Sequence, residues 1–139
     1  MKIIVIFSIG ALLAALIISC ESSDTLEFDR YYSEGSVIYQ THCQNCHGGH
    51  GEGLNGLIPP LSDSVFLAKN SDQLPCTIYF GLKGKITVGK RDFEGQMPAA
   101  SGLANIEIAQ ALTYITNSFG NKMGIFNVEM VNGDLVKCR

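Results

Sequence analysis

Cys43-Gln44-Asn45-Cys46-His47 constrains this chain more than any other part of its 139 residues. Two thiols separated by two residues and followed at once by an imidazole put three reactive side chains on one turn of backbone. A redox-active dithiol with this spacing belongs in a thioredoxin-like βαβ setting, whereas here the pair follows a helical pattern in a Gly-rich chain. A zinc site needs a second pair at close spacing, which Cys76 and Cys138 do not supply. Covalent haem attachment needs only what is present. The thiols reach two vinyl groups on one porphyrin edge, and the next residue, His47, lies under the iron as proximal ligand. A small domain tied to its cofactor in this way uses the cofactor as part of its core.

The N-terminus is set apart from the rest. Met1 and Lys2 precede an apolar stretch from Ile3 to Ile18, closed by Ser19 and Cys20 before the chain turns polar at Glu21, Ser22, Ser23 and Asp24. A charged n-region, an h-region and a cleavage site read as an export signal. A retained membrane span, the other reading, needs roughly 17 to 25 apolar residues, and this stretch is at the short end. Ile17-Ile18-Ser19-Cys20 also resembles the lipobox of bacterial lipoproteins, in which the cysteine is lipidated and becomes the N-terminus. That resemblance implies a cleaved signal over residues 1–19, lipid on Cys20, and a folded part on the periplasmic side, membrane-anchored. Residues 20–30 are then expected to form a polar, flexible tether, residues 31–121 the folded domain and residues 122–139 a tail packed on it. Loss of Lys2 leaves nine Lys and Arg against thirteen Asp and Glu, a net charge of −4 where the full chain has −3. This balance argues against nucleic acid as a partner.

Around the motif the chain resembles the class I bacterial cytochromes c, from about Gly35 to Asn121. Gly35 and Tyr39 stand at four-residue steps before Cys43, as in that family's N-terminal helix, where a glycine permits close contact with the last helix. The segment from Ile108 to Gly120 resembles the C-terminal helix, with Tyr114 as its characteristic aromatic. Periodicity supports this independently: Ile108, Ala111, Leu112, Ile115 and Phe119 recur at three- and four-residue steps as one apolar face, and Gly120 is a natural stop. Gln96-Met97-Pro98-Ala99 resembles the loop that supplies a methionine as second axial ligand. Ile58-Pro59-Pro60-Leu61 resembles the segment whose proline carbonyl accepts a hydrogen bond from the ligand imidazole and whose leucine packs on the porphyrin.

The resemblance therefore implies His47 and Met97 as metal ligands, with Pro59 and Leu61 supporting the cofactor; the residues themselves leave Pro59 and Pro60 undecided. The alternatives are Met97 as core filler and His42 or His50 as ligand. The implied fold is all-α, with N- and C-terminal helices crossing, a short middle helix, and loops around one covalent haem c. The implied function is outer-sphere single-electron transfer between redox protein partners, with no small-molecule substrate and no catalytic residues. A haem enzyme or gas sensor with an open sixth position is the competing reading. A fixed haem subunit of a larger membrane complex keeps the chemistry but changes the setting.

With Cys20 assigned to lipid and Cys43 and Cys46 to haem, Cys76 and Cys138 remain, and an oxidising compartment favours a disulfide between them; two unpaired thiols are the alternative. Gly48 to Gly53 is Gly-rich but lacks the Lys-Ser/Thr ending of a phosphate loop, so it reads as a tight turn past the haem edge. Asp72 through Phe80 is expected to be a short helix capped by Ser71 or Asp72 and stopped at Gly81, with Pro75 in its first turn. Lys85–Val88 and Lys90–Phe93 are expected to form a hairpin turning at Gly89. Lys83, Lys85, Lys90 and Arg91 make this stretch basic, a surface suited to steering an acidic partner. Asn132-Gly133 suggests a turn between Val128-Val131 and Leu135-Val136, and the tail is either a hairpin or a short helix.

Overall fold

The computed structural model describes residues 23–138; the expected signal over residues 1–19 and Cys20 lie outside them. Two helices build the frame. Helix α1 spans Ser23–His42 and helix α5 spans Asn105–Ile115, and they share the most extensive contact of any pair of elements. Between them run α2 (Gln44–His47), α3 (Ser64–Lys69), a 3-10 turn (Ser71–Gln73), α4 (Leu74–Phe80) and a hairpin of β1 (Ile86–Val88) and β2 (Arg91–Phe93). Helix α6 (Val128–Leu135) follows α5. The protein is mostly helical, as expected, and its two-stranded sheet pairs Ile86 with Phe93 and Val88 with Arg91.

The α1–α5 crossing explains the spacing of apolar residues in both helices. Gly35 is buried against α5, and a Cβ there would run into the backbone carbonyl of Gln110. Only glycine permits so close an approach. Below that point Tyr39, Tyr114 and Phe119 pack as a triangle of rings with centroids 5.3 to 5.8 Å apart. Ile108, Ala109, Ala111 and Leu112 are almost fully buried on the facing side of α5. The first turn of α5 is closed by Glu107, whose carboxylate accepts the Ala104 N–H at 2.7 Å.

Three expectations are corrected. The tether expected over residues 20–30 is helical from Ser23 onward. Its polar residues face solvent, but Phe28 stacks on Tyr32 at 5.8 Å and the Tyr32 hydroxyl bonds that of Ser118 at 3.0 Å, so α1 is held to the body one turn earlier than its composition suggests. Helix α5 ends at Ile115, not at Gly120. Phe119 has left the helix at φ +57°, yet its ring still reaches Tyr39 and Tyr114. Asn132-Gly133 does not turn the chain: both lie inside α6, which Asn127 caps by accepting the Met130 N–H at 2.9 Å and which the fully buried Val131 fastens to the core.

The middle of the chain follows the expected order with shifted bounds. The Asp72–Phe80 helix is a 3-10 turn leading into α4, with Pro75 in its first turn and Gly81 at its end. Neither Ser71 nor Asp72 caps it; no side chain does. Helix α3 is an addition, capped by Asp63, which accepts the Phe66 N–H at 2.9 Å. Cys76 on α4 and Cys138 after α6 are joined in a disulfide with their Cα atoms 5.6 Å apart, an ordinary separation for such a bridge.

Candidate cofactor site

The short helix α2 carries the motif. Cys43, Cys46 and His47 all line one cavity of about 710 Å³, within the roughly 300 to 1,000 Å³ usual for cofactor sites. Pro59, Leu61 and Met97 line the same cavity, and Leu67, Leu74, Ile78, Phe93, Leu103 and Leu112 supply apolar wall. His42 reaches its rim from an exposed position, while His50 is exposed and not among the lining residues. The His50 backbone N–H is instead held by the Glu52 carboxylate at 2.7 Å.

Each group is in a state suited to holding a haem. Cys43 and Cys46 are free thiols, the first half-buried and the second exposed. Burial pushes the Cys43 thiol up to about 11, so it stays protonated. The His47 ring is buried, and its Nδ1 lies 3.2 Å from the Pro59 carbonyl oxygen. Because a carbonyl only accepts, Nδ1 carries the hydrogen and Nε2 keeps the lone pair a metal requires. Burial lowers the His47 pKa, partly offset by that hydrogen bond, and so favours the neutral ligand form. The bond also decides between the two prolines: it is Pro59 that fixes the imidazole.

Met97 is held by its backbone. Its N–H donates to the Leu82 carbonyl and the Leu82 N–H donates to the Met97 carbonyl, both at 2.9 Å, an isolated antiparallel bridge. Gly81, at φ +74°, makes this possible, since a Cβ there would collide with the Met97 carbonyl oxygen. Three residues on, the Ala100 N–H donates to the Ile78 carbonyl at 2.9 Å. On the opposite flank of the motif, the Tyr39 hydroxyl donates to the Gly48 carbonyl at 2.6 Å, directly after His47. Burial pushes that phenol up to about 12, so it remains a donor at neutral pH. Two free thiols, a neutral buried imidazole, a half-buried thioether and an apolar enclosure fit a covalently attached haem.

The family model for cytochrome c matches residues 32–119. This chain belongs to the cytochrome c family. Two curated relatives, both called cytochrome c-552 and both from Thermus thermophilus, are each 30% identical to it over 109 residues. The alignment covers 76% of this chain, 82% of the first relative and 73% of the second. The protein is thus a c-type cytochrome, an electron carrier whose cofactor is a covalently bound haem c and whose partners are redox proteins.

Within this cytochrome, sequence reasoning missed residues that support the cavity wall. Leu82 and Gly81 position the Met97 backbone, but Gly81 reads only as a helix stop. Asn121 donates from one buried amide to the Leu61 carbonyl at 2.8 Å and to the Ile115 carbonyl at 3.0 Å, tying the Leu61 wall of the cavity to the end of α5. No local pattern marks it. The polar Asn following Gly120 could have drawn notice only as a helix-end residue.

Proposed function

We propose that His47 and Met97 both ligate the haem iron, so that this cytochrome passes single electrons at the haem edge and binds no substrate. One observation carries the reading: the imidazole of α2 and the thioether of the Met97 segment, far apart in sequence, line the same cavity as both attachment thiols. When bound there, haem supplies a reversible one-electron iron couple. The protein's part would be to hold the iron through His47 and Met97, exclude water with apolar walls and keep His47 oriented through Pro59, so that little would reorganise between redox states. A thioether is a soft ligand that favours ferrous iron and raises the potential. The expected ferric spectrum is six-coordinate and low-spin with a thioether-to-iron band. A high-spin ferric form with rapid carbon monoxide binding would favour an enzyme or gas sensor instead.

The partner is acidic in this reading. Ile86, Thr87 and Phe93 line the cavity, so the hairpin that carries the basic residues forms part of its wall. Among the described residues, Lys85 is paired with Asp92 at 2.7 Å, which leaves Lys83, Lys90 and Arg91 as exposed charges outside any ion pair, with Asp63 lining the same surface depression as the last two. Neutralising those three is expected to lower the electron-transfer rate to an acidic redox protein on the order of ten-fold at low salt and to flatten its dependence on ionic strength. An unchanged salt slope in stopped-flow measurements would remove the hairpin from the docking surface.

The site of action follows from residues 17–20. The cytochrome is exported, cleaved before Cys20 and anchored by lipid on the periplasmic face of a membrane. Cys20→Ser is expected to move the protein from the membrane to the soluble periplasmic fraction. A variant that stays with the membrane argues for a retained N-terminal span.

A further inference from the structure

We infer that the Cys76–Cys138 disulfide and α6 are a positioning device for the Met97 thioether. The inference rests on the reading that Met97 ligates the iron, and begins from the backbone bonds that hold that residue. Gln96, Pro98 and Ala99 are exposed, and Met97 and Ala100 are only half-buried. Met97 and Ala100 pack against the core from partly buried positions, so the segment's position depends on its backbone bonds as well. The Leu103 N–H donates to the Ala100 carbonyl at 3.0 Å within the segment's own turn. The bonds that reach outside it, two between Met97 and Leu82 and one from Ala100 to Ile78, go to residues at the end of α4 or just beyond it.

Helix α4 cannot be the fixed point by itself. It is seven residues long, well below the roughly 12 to 15 at which an isolated helix becomes even marginal in water. One of its faces turns to the haem cavity through Leu74, Thr77 and Ile78. Cys76 sits between those residues and is bonded to Cys138. The tail that carries Cys138 is in turn anchored on α5. The Phe126 N–H donates to the buried Thr113 hydroxyl at 3.0 Å, Asn105 donates to the Asn132 side chain at 2.6 Å, and Asn117 grips the Gly124 backbone through both its amide atoms.

A closed mechanical circuit results. The frame helix α5 holds α4 in two ways, by direct packing and through the tail and its sulfur bridge, and α4 holds the backbone of the ligand segment. The bridge joins residues 62 positions apart, and the loop it closes contains Met97 and α5, whereas the Cys43-Cys46-His47 turn lies before it. Its opening frees the α4 side of the cavity, while the α1–α5 crossing keeps its own packing around Gly35 and Tyr39. Loss of the bridge therefore weakens the Met97 side of the iron and spares the His47 side.

The test compares intact holoprotein with Cys76→Ser/Cys138→Ser. Three readouts are taken well below the unfolding temperature: residue-resolved amide exchange, the pH at which the thioether-to-iron band disappears, and the carbon monoxide binding rate of the ferrous form. Exchange at Leu82, Met97 and Ala100 is expected to rise on the order of ten-fold relative to amides of α5, within the range typical of coupled sites. The band is expected to be lost at lower pH, and carbon monoxide to bind on the order of ten-fold faster. A uniform rise in exchange with band and binding rate unchanged would reduce the bridge to a general stabiliser and overturn the inference. Should the double variant fail to fold, insertion of four glycines between Lys137 and Cys138 keeps the cross-link but gives it slack, and the same readouts decide. A wild-type protein lacking the band altogether overturns the ligation reading itself, and with it this one.

Discussion

Met97→Ala is expected to turn a low-spin ferric haem into a high-spin one, abolish the thioether-to-iron band and admit carbon monoxide to the ferrous iron. The midpoint potential is expected to fall by on the order of 0.2 V, a fraction of the roughly 0.8 V over which axial ligands set haem potentials. The size of the effect follows from what surrounds the residue. The Met97 bridge to Leu82 is made by backbone atoms and survives the substitution, so the loop keeps its course while the donor atom is lost. Among the residues lining the cavity the only other imidazole besides His47 is that of His42, exposed at the rim next to Cys43, where it is tied to the motif's own side. No substitute donor stands ready. Electronic and magnetic circular dichroism spectra of wild type and variant check this directly, and a variant that kept the band would remove Met97 from the iron.

Gly35→Ala is expected to destabilise the holoprotein by about 2 kcal/mol, within the ~1 to 3 kcal/mol usual for overpacking. The sign is diagnostic. In an unpacked helix the same change stabilises by up to about 1 kcal/mol, because alanine loses less backbone freedom than glycine. Here the added carbon meets the Gln110 carbonyl of α5, a backbone group that cannot rotate aside, so the two frame helices must move apart. That separation loosens Tyr39 against Tyr114 and Phe119, and with them the hydrogen bond to Gly48 beside His47. A loss of this size is a large share of the roughly 5 to 15 kcal/mol that stabilises a typical domain. Denaturant titration followed by haem absorbance measures it; a midpoint equal to or above that of wild type would mean the crossing is looser than described.

What could be read from the sequence divides along a physical line. The face formed by Ile108, Ala111, Leu112 and Ile115 is a local periodic signal, and α5 forms where it predicts. Gly35, Tyr39 and the haem motif carry their meaning in residue type and spacing. The first two turns of α1 were obscured because Asp24, Glu27, Asp29 and Arg30 outnumber the single stripe of Phe28, Tyr31 and Tyr32 that packs. Helix α3 is six residues long, too short for a period to show. Asn132-Gly133 has turn chemistry that the buried Val131 and the cap at Asn127 override. Least visible of all was the Leu82–Met97 bridge, since a pairing of backbone groups fifteen positions apart leaves no mark on side-chain pattern.

The early start of α1 sets how this carrier searches for its partners. With lipid on Cys20, as proposed, only three residue steps separate the membrane anchor from the first residue of the helix at Ser23. Fully stretched, they reach about 11 Å. Beyond them α1 runs as continuous helix to Tyr32, which bonds Ser118 and packs on Tyr114, so the stretch between adds fixed length and little slack. A cytochrome on so short a leash samples a thin layer above the bilayer, and its encounters become a problem of lateral diffusion in two dimensions. Electron flow through it is then governed by how densely donors and acceptors populate the same membrane, and lengthening the leash by a flexible insert after Cys20 would trade that surface density for volume.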